Sequence, residues 1–317
     1  MADTTAVRGT RRGVLAGLGA NSVELIALGV AALVTGSVAL RAQTAANAAE
    51  VAVGVFLLIG VLSSARPPSA THPLGYGREH FFWSLFAALG IFVGGAGLAL
   101  DGAVRAALHP SPVDDFAIGY VVLAATLVLD TFALEIALRP LRKRSVARGV
   151  PLRTYVQETT DSAATTVVVG GGCAILGSVV ALVGLAASQA TGSATPDTVA
   201  SALIGLLLLA ASVLLLQTNR ELLTGRGVPP PMLREMRRII AEQVGVVGIS
   251  DLFAIVIGPA AVIVDGDILF AENVDVPVVE QTILDSASAL RERFPVIKYV
   301  YLMPVAHARP ERAVPLN

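Results

Sequence analysis

Apolar positions run unbroken over most of this chain and then give way, near its end, to short alternating stretches. Six runs reach the roughly 20 apolar residues that a helix needs to cross a hydrocarbon layer. They extend from Val14 to Val34, Val38 to Leu62, Phe81 to Val104, Phe116 to Leu138, Tyr155 to Ala186 and Val199 to Leu216. The pattern changes after Gly225, where the runs shorten and Pro229-Pro230-Pro231 interrupts the chain. Beyond it, Leu233, Met236, Ile239 and Ile240 recur at helical spacing within 232–244. Ile249–Ile257 and Ala261–Phe270 read as two strands around the turn Gly258-Pro259. A second helix over 276–293 and a last strand over Ile297–Met303 follow. The expected architecture is an all-α bundle of six transmembrane helices with a small α+β domain of order αββαβ, a ferredoxin-like layer of helices on a sheet. The divisions are 1–13, an N-terminal segment; 14–222, the membrane domain; 223–310, the αββαβ domain; and 311–317, a tail.

The polar residues inside the runs carry the chemistry, because an ionisable side chain within a span is costly and by default faces a cavity, a partner or a transported ion. On the second span Gln43, Asn47 and Glu50 stand at i, i+4 and i+7, on one helical face. On the fifth, Gln157 and Asp161 stand at i and i+4, with Glu158 three residues before Asp161. Two such ladders facing each other would offer a divalent cation carboxylate and amide oxygens, the ligands hard ions prefer. Gln43, Thr44 and Asn47 read equally as hydrogen-bonding glue between helices. Glu50 and Asp161 have as alternatives a buried neutral acid or a pair with Arg41 or Arg153, although Arg41 lies near the outer end of its span and is expected to snorkel. Glu24, Asp101, Asp130 and Glu135 are further intramembrane or interfacial acids, each a weak signal taken alone.

Composition agrees with a membrane protein: 54% of the 317 residues are hydrophobic and only 15% charged. The net charge of −1 and the scatter of Lys and Arg give no surface for nucleic acid. Arg8, Arg11, Arg12, Arg66, Arg78, Arg139, Arg142, Lys143, Arg144, Arg148, Arg153, Arg220 and Arg226 all fall on loops of one side, so both termini are expected in the cytoplasm, across a bacterial plasma membrane. Arg11-Arg12 ahead of an apolar run also reads as a twin-arginine export signal, but the run is as long as a span and others follow it. Cys173, the one cysteine, sits in an apolar run and reads as a small buried hydrophobe.

The stretch H-P-L-G-Y-G-R-E-H-F-F-W at 72–83 resembles a signature of the cation diffusion facilitator family, in its zinc transporter nine branch. T-G-S at 35–37, L-L-x-G at 57–60, D-S-A-A at 161–164 and the Gly258-Pro259 turn add to the likeness, which spans essentially the whole chain. The resemblance implies a homodimeric six-span exporter with a cytoplasmic αββαβ domain, trading a divalent metal for protons by alternating access. It places the metal between the second and fifth spans, and by position that means Glu50 and Asp161, with Gln43, Asn47 and Gln157 completing the shell. This chain departs from the branch where Gln43 stands for an acid, Ala46 for a histidine, Glu50 for an aspartate and Thr160 for an acid. Without histidine the site loses the nitrogen ligand that favours Zn²⁺ and keeps oxygen alone. Proton coupling would then fall to Glu50 and Asp161. The C-terminal domain is poor in ligands, with His307 near the chain end its only histidine.

His72, Glu79 and His80 flank the signature and read either as a funnel through which metal reaches the site or as anchors of the loop together with Tyr76 and Arg78. The function expected is therefore secondary transport of a divalent cation such as Zn²⁺, Mn²⁺ or Fe²⁺, with membrane lipid as surroundings, no resident cofactor and no enzymatic pattern of the serine-triad or zinc-protease type. The alternative is a transport-inactive homologue serving as a dimeric membrane scaffold or partner subunit. Ala46 and Thr160 speak for that alternative, and the costly acids Glu50 and Asp161 against it.

Overall fold

The computed structural model describes residues 2–110, 113, 115–147, 149–153, 155, 162–272 and 274–305, with the side chains of 2–14, 16, 144 and 162–165 left aside. Gln157, Glu158, Thr160, Asp161 and His307 lie outside the described residues. Among the described residues, six helices are long and apolar enough to cross a membrane, over Gly17–Thr35, Val38–Ser64, Glu79–Leu108, Phe116–Ala147, Thr166–Thr191 and Thr195–Leu223.

The first span lies in α1 (Ala2–Thr35) and the second in α2 (Val38–Ser64). Only Gly36 and Ser37 join them: Gly36 takes φ +69, a conformation glycine adopts without strain, and the Ser37 hydroxyl accepts the Leu40 N–H at 3.1 Å. So short a link forces α1 and α2 to run antiparallel in contact. The third span is divided into α3 (Glu79–Gly90), a π-helical stretch (Ile91–Gly97) and α4 (Leu98–Leu108). The wider coil coincides with glycines, and a Cβ on Gly95 would stand 3.4 Å from Ala49 Cβ on α2 and 3.3 Å from Leu208 Cδ1. The remaining spans are α5 (Phe116–Ala147), α6 (Ser162–Thr191) and α7 (Thr195–Leu223). Ala39, Ala42, Ala46 and Ala49 line the buried side of α2, since small residues let neighbouring backbones approach where lipid supplies no hydrophobic drive.

The C-terminal domain follows as α8 (Pro230–Ala241), β1 (Val246–Gly258), β2 (Ala261–Phe270), α9 (Val276–Arg293) and β3 (Ile297–Val305). β1 and β2 form an antiparallel hairpin, and β3 joins the far side of β2 in parallel, reached through α9. The expected order αββαβ is present. The helix expected over 232–244 begins at Pro230 and ends at Ala241, because proline is favoured in a first turn; β1 starts three residues before Ile249 and β3 runs to Val305.

Met236 and Ile240 of α8, Val256, Val264 and Ile268 of the sheet and Leu290 of α9 are fully buried in one core. Phe81 from the third span and Leu222 from the sixth belong to that same core. The domain is therefore seated on the bundle through apolar side chains. Backbone hydrogen bonds add to this: Val228 N–H donates to Ala254 O and Val256 N–H to Arg226 O, both at 3.0 Å, which binds the segment after α7 along β1.

Candidate metal centre

The three polar residues of α2 point into the bundle but meet different neighbours. Gln43, 3% exposed, donates from Nε2 to Ser178 Oγ at 3.1 Å and to Ala174 O at 3.4 Å, both on α6. Its glue role on the fifth span is therefore realised, while its Oε1 has no partner among the described residues. Thr44 turns back on its own helix, donating to Leu40 O at 2.8 Å. Asn47 and Glu50 face α1. Asn21 Nδ2 lies 3.4 Å from Glu50 Oε2, and Asn47 and Glu24 are neighbours across the α1–α2 contact.

Glu24, which the sequence offered only as a weak signal, is 8% exposed. Asn21 was missed, although N-S-V-E at 21–24 repeats the spacing of N-A-A-E at 47–50. Asp130 on α5 lies within electrostatic reach of both Glu24 and Glu50, and half-buried Cys173 on α6 within reach of Glu50. Among the described residues, no three His, Cys, Asp or Glu side chains converge on one point. A cation here would need amide oxygens beside its carboxylates.

Gln157 and Asp161, the expected half of the centre on the fifth span, fall outside the described residues. Arg41 is exposed, in keeping with a side chain that snorkels.

The loop before the third span is organised around Tyr76. The His72 ring stacks on it with centroids 4.3 Å apart, Arg66 approaches its face to 5.8 Å, and Ser69 Oγ is 3.2 Å from its hydroxyl. His72 is exposed, whereas His80 is 3% exposed, its backbone against Gly60 of α2. Glu79 accepts the Trp83 Nε1–H at 3.1 Å. These contacts are those of a loop anchor, with His72 and His80 in different surroundings.

A polar centre not singled out in the sequence sits at the other end of α2. Asp197, near the start of α7, is fully buried and accepts the Ser37 hydroxyl at 2.7 Å together with the Val38 and Ala39 N–H groups. Its own N–H donates to Ser188 Oγ of α6 at 3.0 Å. The carboxylate satisfies the orphan donors of a helix start and pins three spans together. The one clue was its position in the first turn of an apolar run, which reads as a self-cap. In the C-terminal domain, Asp251 and Asp267 face each other across β1 and β2.

Residues 14–224 match the family model described as the cation efflux transmembrane domain. Among curated relatives, the mitochondrial proton-coupled zinc antiporter of Xenopus laevis is 30% identical over 228 residues, 72% of this chain and 41% of that protein. Its human counterpart is 29% identical over 224 residues, 71% of this chain and 39% of the relative. Metal tolerance protein C4 of Arabidopsis thaliana is 28% identical over 222 residues, 70% of this chain and 49% of the relative. The match spans less than half the length of each of these relatives. Six membrane-capable helices, a seated αββαβ domain and the family match over 14–224 lead to one conclusion: the chain belongs to the cation efflux, or cation diffusion facilitator, family.

Proposed function

We propose that this protein moves a divalent metal cation out of the compartment that holds its C-terminal domain, working as a homodimer by alternating access in exchange for protons. The observation that carries the reading is the row of buried oxygen-bearing side chains on α2, with Asn47 6% exposed and Glu50 facing Asn21 of the first span. A membrane helix keeps such a row at a cost that transport offsets. Family membership supports metal as the cargo, and the names of the animal relatives, as proton-coupled zinc antiporters, support the exchange. Glu50 and Asp161 serve as the charged ligands, and Asn47 with Gln157 as neutral ones. Gln43 offers its Oε1, which has no partner among the described residues, while its Nε2 stays bonded to Ser178. An oxygen-only shell is of the kind that suits Mn²⁺ and lacks the imidazole that suits Zn²⁺ and Fe²⁺.

The distribution of Lys and Arg supports both termini on the cytoplasmic side, and the barrier proposed is a bacterial plasma membrane. The animal relatives are mitochondrial by name, and a fluorescent fusion viewed in the native cell tests the assignment.

The test of transport is metal flux in proteoliposomes under an inward-acidic pH gradient, with Zn²⁺, Mn²⁺, Fe²⁺ and Co²⁺ offered in turn. Flux of one metal in the wild type, abolished in Glu50→Ala/Asp161→Ala, is the expected result. Folded, dimeric protein that moves none of them would point to the second reading, a transport-inactive dimeric scaffold, which Ala46 and Thr160 favour as departures from the family's ligand pattern.

A further inference from the structure

We infer that the first span contributes to the cation site: Asn21 and Glu24 of α1, facing Asn47 and Glu50 of α2, form an oxygen-only set of ligands for a hard divalent cation such as Mn²⁺. The inference rests on the transport reading for its purpose, but its geometry is independent of Asp161.

The close contacts between the two helices set the register. A Cβ on Gly29 would stand 3.8 Å from Thr44 Cγ2, and one on Gly54 would stand 3.1 Å from Leu18 Cδ1. Between these contacts Asn21 falls opposite Glu50 and Glu24 opposite Asn47. Each helix contributes an amide and a carboxylate at i and i+3, and the antiparallel pairing sets amide against carboxylate twice. The contact from Asn21 Nδ2 to Glu50 Oε2 realises the first pairing, and Asn47 and Glu24 are neighbours in the second.

Two amide–carboxylate pairs could simply fasten α1 to α2, as polar pairs do in membrane bundles. Beyond such a fastening, spare acceptors remain. Here Asn47 Oδ1 and Glu24 Oε1 are both buried and have no partner among the described residues, in side chains 6% and 8% exposed. No Lys or Arg occurs between Arg12 and Arg41, between Arg41 and Arg66, or between Arg105 and Arg139, the stretches that hold most of α1, α2 and α5. Asp130 of α5 adds a further negative charge within reach. Along these stretches the cluster therefore has carboxyl and amide groups and no Lys or Arg beside them in sequence. A bound dication would supply the missing charge and occupy the idle oxygens.

The donor set also selects the ion. Two carboxylates neutralise a 2+ charge and two amide oxygens extend the shell without adding charge, a hard environment with neither imidazole nor thiolate among the four. Tetrahedral Zn²⁺ sites draw on those softer ligands.

The test is equilibrium binding of Mn²⁺ and Zn²⁺ to the detergent-solubilised full chain, with thermal unfolding as the fold control and vesicle flux recorded separately. Glu24→Gln, which keeps shape and removes charge, is expected to weaken Mn²⁺ binding at least about tenfold without lowering the metal-free melting temperature by more than a few degrees. Glu24→Asp is expected to restore part of it. Asn21→Asp places a third carboxylate in the cluster; its metal-free melting temperature should fall by repulsion and rise with Mn²⁺ by more than that of the wild type. Mn²⁺ affinity unchanged in Glu24→Gln, no Mn²⁺ binding by folded wild type, or no Mn²⁺-dependent rise in Asn21→Asp would overturn the inference. If wild type moves metal and Glu24→Gln binds and moves it equally, the inference fails and transport stands. If Mn²⁺ binding depends on Glu24 but no metal crosses the vesicle, the site stands and the transport reading fails.

Discussion

Gly77, in the loop before the third span, and Gly258, at the turn of the β1–β2 hairpin, meet backbone to backbone. A Cβ on Gly77 would lie 2.6 Å from Ile257 O, and one on Gly258 would lie 2.7 Å from Gly77 Cα. Both obstacles are main chain, which cannot swing aside like the end of a side chain. The loop that resembles the family signature is thereby held directly against the sheet, beside the point where Phe81 enters the domain core.

Alanine at either glycine should therefore part the loop from the hairpin. Gly77→Ala or Gly258→Ala is expected to cost about 1–3 kcal/mol, as overpacking does. The double variant should cost little more than either single one, because both break the same contact. Thermal unfolding of the four proteins completes the cycle; additive losses would refute a shared contact.

Asp197 should be a stability residue for the membrane domain. Its replacement by alanine strands the Val38 and Ala39 N–H groups and the Ser37 hydroxyl in a buried site. The expected loss is about 2 kcal/mol or more, between a lost helix cap and a lost hydrogen-bond network. Asp197→Asn, which keeps one acceptor oxygen, should fall between. The melting temperatures of the purified proteins, ordered wild type, Asn, Ala, check the sequence of effects.

Gly177 leaves room for Gln43, since a Cβ there would lie 2.6 Å from Gln43 Oε1. The obstacle is the end of a flexible side chain, so Gly177→Ala should displace the amide and break its bond to Ser178, costing about 1 kcal/mol. In a Gln43→Ala background the same change should be nearly neutral. A Gly177→Ala penalty that persists there would mean that the glycine serves backbone packing alone.

In the C-terminal domain, the Arg238 guanidinium hydrogen-bonded to Glu235 at 2.8 Å, with Arg293 at 3.5 Å, holds the Glu235 carboxyl below its ordinary value of 4.5. A carboxyl depressed by folding contributes stability above its unfolded pKa and loses it as pH falls through the folded one. The melting difference between wild type and Glu235→Gln should therefore be present near neutrality and vanish as the solution is acidified through the ordinary carboxylate range and below it. The group is exposed and the effect small. A difference that grows on acidification would reverse the sign and exclude the pair as its cause.

The linear pattern alone determined the six spans and the αββαβ order. A bilayer admits only helices of a minimum apolar length, and the spacing of Met236 and Ile240 or the turn at Gly258-Pro259 acts over neighbouring residues. It also determined that Gln43, Asn47 and Glu50 share one side of α2, because 3.6 residues per turn is a local rule. What each of them meets was settled by the packing of helices far apart in sequence. Gln43 turned to Ser178 on α6, while Asn47 and Glu50 turned to Glu24 and Asn21 on α1. Spacing within one helix says nothing of the rotation or neighbour of another. The same holds for Asp197 capping α2 from α7 and for Gly77 against Gly258: each is a contact between segments whose closeness exists only once the bundle and the domain have assembled.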